Sequence, residues 1–163
     1  RSFKGTTVVL NTIRSEKEGV AANEETPVTV SHSGEYEVQG IRIQGWNTGS
    51  KEKKEHTMYR ILFDDISIAC LGHLTETLSP NLLGELDSPD IVIVPGGAPY
   101  IKETAAGKLL RQLEPSIIIP SLTKDPKAFL KELGAQTVKP IEKLVIKKKD
   151  LTPKAMAVHV LLS

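Results

Sequence analysis

Apolar positions in the first half of the chain recur in short β-type runs. Thr6–Leu10, Val28–Val30, Tyr36–Val38 and Ile41–Gln44 are β-branched or alternate apolar with polar residues, and Gly, Asn, Ser and Pro clusters separate them. Met58–Phe63 and Ile66–Leu71 flank Asp64-Asp65, which predicts a hairpin with a tight turn. Lys51–Glu55 follows Gly49-Ser50 and reads as a solvated loop. The second half changes period. Ser79-Pro80 is a cap followed by proline at a first helical position, before Leu82, Leu83 and Leu86. Ile91–Val94 and Ile117–Ile119 are continuous apolar runs, as in strands covered on both faces. Between them, Lys102–Leu113 puts Ala105, Ala106, Leu109, Leu110 and Leu113 on one helical face. Asp125-Pro126 starts a third helix, for which Gly134 is a stop, and Leu144–Ile146 and Val158–Leu162 read as two further strands.

Strands first and strand–helix–strand units afterwards predict an α/β layered sandwich. No internal repeat or linker divides the chain, so residues 1–163 are expected to form one domain. The 39% hydrophobic and 25% charged content is that of a globular protein. Lys and Arg number 21 against 20 Asp and Glu, which leaves no global field to attract nucleic acid or an anionic membrane. Cys70 is the sole cysteine, so neither an intrachain disulfide nor a thiolate zinc cluster can form. No apolar run is long enough to span a bilayer and no charged-then-apolar leader is present, so a cytoplasmic location is expected.

Candidate chemistry is sparse. His32, His56, His73 and His159 lie 24, 17 and 86 residues apart, whereas local metal motifs set two ligands a few residues from each other. Cys70 and His73 are near enough in sequence to form a thiol–imidazole pair, but strand alternation turns Cys70 away from Ala69 and makes it a small core residue. Gly96-Gly97 joins a strand to a helix, and such a turn can offer backbone N–H groups to an anion. Glu35 and Glu37 share one strand face, an arrangement open to acid–base work. Lys147-Lys148-Lys149 beside Asp150 lacks interleaved aromatic residues and reads as a solvated turn.

Several segments, in order from about Pro27 onward, resemble the UlaG-like branch of the metallo-β-lactamase-fold hydrolases. Ser33–Val38 with Gly40-Ile41 is similar to that branch's Gly-Glu-Tyr-Glu-Val segment, and His56-Thr57-Met58-Tyr59 to its Asn-Thr-x-Tyr strand start. Ile68–Leu74 resembles a strand ending in Leu-Gly-Asp-Leu-Gly, and Asp90–Gly97 resembles Asp-x-Leu-x-Ile-Pro-Val-Gly-Gly. Pro115–Pro120 and Leu144–Leu151 resemble its Pro-x-Ile-x-Ile-Pro and Lys-Leu-x-Ile segments. The resemblance implies an αββα metallo-β-lactamase-like sandwich, shortened at the N-terminus. Its members bind one or two metals, often Zn or Mn, and hydrolyse lactone, ester or phosphodiester bonds.

The family's ligand positions are changed here. No His-x-His-x-Asp-His loop is present; Thr12–Lys17 stands in its place or forms the tail of an N-terminal hairpin. No histidine lies between Gly45 and His56, His73 replaces the bridging Asp, and Leu122 replaces the last His. The resemblance therefore places a pocket at His73, Gly96 and Gly97 with no metal or other cofactor. The leading expectation is a metal-free, non-catalytic relative with a binding or assembly role. The alternative is a Zn- or Mn-dependent hydrolase rebuilt from His73, Glu76 and Asp64 or Asp65. Nucleic acid and membrane are not expected partners; a missing strand would bare a sheet edge for a protein partner or a second copy.

Overall fold

A computed structural model of the chain describes residues 8–15, 28–51, 54–123 and 125–162. The alternating segments fold as β1 (Val8–Leu10), β2 (Ile13–Ser15), β3 (Val28–Val30), β4 (Gly34–Val38), β5 (Ile41–Lys51), β6 (Lys54–Phe63) and β7 (Ile66–Cys70). Then follow α1 (Pro80–Leu86), β8 (Ile91–Pro95), α2 (Glu103–Leu113), β9 (Ile117–Ser121), α3 (Lys127–Glu132) and β10 (Ala157–Val158). The large sheet has the order β10-β9-β8-β7-β6-β5-β4, with β2 paired to β6 off this path, and β1 and β3 form a small second sheet. Strands β7 to β10 run parallel and β4 to β7 antiparallel.

Period-two alternation sorts the side chains onto two faces. Met58, Ala69, Leu71, Val92, Val94 and Ile118 point to the helices and pack with Leu86 of α1, Leu109 and Leu110 of α2 and Phe129 of α3. Their neighbours Ile43 and Tyr59 point the other way and pack against Val30, Val8 and Leu10 of the small sheet. The expected sandwich is thus present, with helices on one side of the large sheet and two described strands on the other. The local signals also hold. Ser79 Oγ accepts from Leu82 N at 3.3 Å, with Pro80 opening α1. Asp125 Oδ1 accepts from Lys127 N at the start of α3, and Gly134 takes φ 69° just past its end.

Three expectations change. Lys51, Lys54 and Glu55 belong to strands, since the β5–β6 ladder runs on to Ser50↔Glu55 and Lys51↔Lys54; residues 52 and 53 lie outside the described set. Backbone pairing begun in the buried part of the hairpin continues outward whatever the side-chain polarity. At the N-terminus, β1 pairs with β3 in parallel, which no hairpin does. Near the C-terminus, Leu144–Ile146 is not a strand; a 3₁₀ turn at Lys148–Asp150 follows it, and the last strand is only Ala157–Val158, with one further bridge between Ile141 and Leu161.

Candidate functional site

Because β7, β8 and β9 are parallel, the loops after them share one edge of the sheet, where open α/β sheets place ligands. β6 runs antiparallel to β7, so its first residues reach the same edge. β7 pairs with β6 only from Tyr59 onward. Beyond it, β2 takes over the same side of β6 and pairs Ile13 with His56. The chain enters β2 from the small sheet through Asn11-Thr12. Asn11 N donates to Val30 O at 2.8 Å and Thr57 N donates to Thr12 O at 3.1 Å, which ties this crossing to both sheets. The Tyr59 hydroxyl, buried beneath, lies 2.9 Å from Asn11 O and 3.2 Å from Val30 O and donates into that pair; burial pushes its pKa up to about 12.

The crossing delivers Thr12 to the loop that leaves β7. Thr12 Oγ1 is 2.8 Å from His73 Nδ1. Between them Gly72 takes φ +53°, and a Cβ there would lie 2.7 Å from Thr12 Cγ2, 2.9 Å from Oγ1 and closer still to Cβ. A glycine is required twice over, for its left-handed backbone and for the close approach. The His73 ring centroid is 6.2 Å from that of buried His56 and 5.4 Å from that of Tyr100, which packs edge-on at 75°. Burial, then the neighbouring His56 and Lys54, hold His73 below the ordinary histidine range, so it is neutral at neutral pH. Opposite His56, β5 carries a bulge between Asn47 and Gly49, and Thr48 Oγ1 donates to His56 O at 3.2 Å. Bulges of this kind re-aim side chains beside sites.

Gly96 and Gly97 lie at the same edge, after β8. Tyr100 N donates to Gly97 O at 3.1 Å and Ile101 N to Leu74 O at 2.9 Å, so the Gly-Gly turn and the His73 loop are joined through Tyr100-Ile101. The turn is not an anion cradle, however. Gly96 N–H donates to Ser121 O, and a Cβ on Gly97 would meet Glu103 Oε1 at 2.6 Å. Leu122 stands at the rim of this edge, 45% exposed with φ 53°.

The other sequence candidates lie elsewhere. Asp64 and Asp65 form the β6–β7 turn, and the five-residue β7 places them roughly 15 Å from the far end of that strand at about 3.4 Å per residue. They cannot join His73. Glu76 is exposed. Cys70 packs in the small-sheet cluster with Tyr59, and burial pushes its thiol up, which leaves it inert toward His73. Glu35 and Glu37 line a concavity of about 440 Å³ with Arg42 and Arg60, formed by β4, β5 and β6. Lys148 pairs with Asp90 at 2.9 Å. Thr12, His56 and Tyr100 are the members of the cluster that sequence reasoning did not join to His73. Thr12 lies 61 positions away, and no local spacing signals the meeting.

As a donor set, this edge offers two imidazoles and two hydroxyls. Glu55, beside His56 on β6, is ion-paired with Arg14. Among the described residues no group of three or more His, Cys, Asp and Glu could hold a metal ion. Nor, among them, is any helix long and apolar enough to cross a membrane.

Comparison with known proteins agrees with this architecture. No curated protein matches the chain. A candidate Zn-dependent hydrolase of the metallo-beta-lactamase superfamily from Thermotoga maritima is similar over 94% of this chain and 80% of its own, at 22% identity and a TM-score of 0.74. A candidate metal-dependent hydrolase from Parabacteroides distasonis is similar over 96% and 77%, at 14% identity and a TM-score of 0.60. The metallo-beta-lactamase fold protein YhfI from Bacillus subtilis is similar over 82% and 50%, at 9% identity and a TM-score of 0.55. At these identities the likeness is one of fold. Residues 4–121 match the family model of the beta-lactamase superfamily domain, and the chain belongs to that family.

Proposed function

We propose that this protein is a metal-independent member of the superfamily, of the UlaG-like branch, that binds a small molecule at the sheet edge formed by Thr12, His56, His73 and Tyr100. The observation that carries this reading is the donor set. Catalytic zinc sites use about three protein ligands and commonly include an anionic one. Here His73 is engaged by Thr12 and the adjacent carboxylate of Glu55 by Arg14. These residues do not fit the metal that the family's structural neighbours are named for, so no step is routed through one. A binding role is favoured over assembly through the outer edge of β4 by charge. Antiparallel self-pairing about Tyr36 would set Glu35 opposite Glu37 of a second copy, and like charges directly opposed are destabilising.

Elemental analysis of freshly purified protein tests the reading. Substoichiometric Zn, Mn and Fe, with no gain after dialysis against Zn²⁺ and gel filtration, is the expected result. One specific observation favours the alternative of a rebuilt metal hydrolase: the His56–His73 pair itself. Stoichiometric zinc that His56→Ala and His73→Ala both release would establish that alternative in place of this one.

A further inference from the structure

We propose that Thr12 and His73 form a nucleophile–base pair that takes up the acyl group of a carboxylic ester. This deepens the metal-independent reading above and rests on it. A hydroxyl becomes a nucleophile when a base stands within hydrogen-bond reach, roughly 2.6–3.2 Å, and when that base is itself held in place. Thr12 Oγ1 and His73 Nδ1 are 2.8 Å apart. Both halves of the pair are fixed by the fold. The Thr12 carbonyl accepts from Thr57 N, and its side chain is pressed against Gly72 at the mouth of the loop that carries His73. The imidazole is flanked by Tyr100 edge-on and by His56. The pair is not sealed in the core, since Thr12 and His73 are each only half-buried.

The protonation state suits the role. A ring kept neutral at neutral pH, with its proton on Nε2, can accept the Thr12 proton at Nδ1. In the first step Thr12 Oγ attacks the ester carbonyl carbon while its proton passes to His73 Nδ1. The tetrahedral oxyanion collapses, the carbon–alkoxy bond breaks, and the leaving alkoxide takes the proton from Nδ1. The product is a threonyl ester and a free alcohol. Water then attacks that ester with His73 again as base, which releases the carboxylic acid and returns the proton to Thr12 Oγ. The sum is ester plus water to acid plus alcohol, with no metal and no redox partner.

The test is covalent. Chelator-treated protein is incubated with a fluorophosphonate probe, and the adduct is located by peptide mass spectrometry. Modification of Thr12 in the wild-type chain is expected. It should persist in Thr12→Ser and vanish in Thr12→Val, which keeps the shape without the hydroxyl. In His73→Gln, which preserves a hydrogen-bonding side chain without a basic nitrogen, labelling should be roughly 100-fold slower, in line with the usual share of general-base catalysis. The wild-type rate should also rise with pH as His73 loses its proton. No adduct on Thr12 in folded protein, or undiminished labelling in His73→Gln, overturns the pair while leaving metal independence in place. Labelling or p-nitrophenyl acetate hydrolysis that appears only on addition of Zn²⁺ overturns the metal-independent reading, and the pair with it.

Discussion

Gly72→Ala is the sharpest structural test of how Thr12 comes to His73. Two costs arise at this position and they separate cleanly. The backbone at φ +53° lies in the left-handed region, which costs a non-glycine residue about 1–2 kcal/mol. The new methyl group would also lie 2.7 Å from Thr12 Cγ2 and nearer still to its Cβ. The Cβ is no flexible tip that can swing aside, because the Thr12 carbonyl is bonded to Thr57 N. Overpacking of that kind costs about 1–3 kcal/mol. The sum is roughly 2–5 kcal/mol, and at about 2–4 °C per kcal/mol for a domain of this size the melting temperature should fall by roughly 10 °C. Thr12→Gly removes the three nearest atoms and so removes the steric share. A double-mutant cycle by calorimetry or denaturant titration should therefore show a coupling of about 1–3 kcal/mol between positions 12 and 72, with the backbone share unrelieved. Equal costs of Gly72→Ala in the wild-type and Thr12→Gly backgrounds would refute the close approach. A cost below about 1 kcal/mol in the wild type would refute the backbone argument as well.

Further outcomes follow from the same geometry. Tyr59→Phe strands the carbonyl of Asn11, removes one of the two donors to the carbonyl of Val30, and should cost about 1–3 kcal/mol in urea titration. Because folding raises the Tyr59 pKa from 10.0 to about 12, the unfolded chain loses its proton first; wild-type stability should decline as pH rises from about 10 through 12, and a Tyr59→Phe chain with the same decline would disprove the assignment. Folding lowers the His73 pKa, so its contribution is complete above the ordinary histidine range and lost as pH falls below it. An NMR titration should place the His73 midpoint below 6.5 and show it move upward in His56→Gln. Phe129→Ala removes a fully buried ring from the main core and should cost about 3–5 kcal/mol by chemical denaturation.

What the sequence disclosed was whatever short-range pattern encodes. The Ser79-Pro80 start of α1, the buried runs that became β8 and β9, and the opposite facing of Ala69 and Cys70 each depend on a few adjacent residues. The order of strand and turn segments carried the family. The cluster around His73 was not legible, because its members meet through tertiary register. Thr12 arrives only because β7 stops pairing at Tyr59 and β2 continues along the same side of β6. His56 joins because β6 is antiparallel to β7, and Tyr100 because the Gly97 turn folds back on the His73 loop. Asp64, Asp65 and Glu76 lie near His73 in sequence, but nearness along a chain that runs through a strand is not nearness in space. A strand carries the two aspartates away as fast as its length allows.

The same layout explains why a superfamily scaffold can change its chemistry without losing its fold. The side chains that hold the sheets together, Met58, Tyr59, Val92, Val94 and Ile118 among them, alternate along strand interiors and are fully buried. The site residues sit where strands end, at Thr12, His56, His73 and the turn before Tyr100, outside both core clusters. Strand ends fix where a side chain stands but demand little of what it is. A change of side chain at the end of β7 would therefore leave the packing intact, and the His73 ring that stands there has a hydrogen-bonding partner. Thr12 supplies that partner across the gap between the two sheets, and Gly72 leaves the room for it. On the proposal made above, the reactivity of this hydroxyl and imidazole would follow from their 2.8 Å separation.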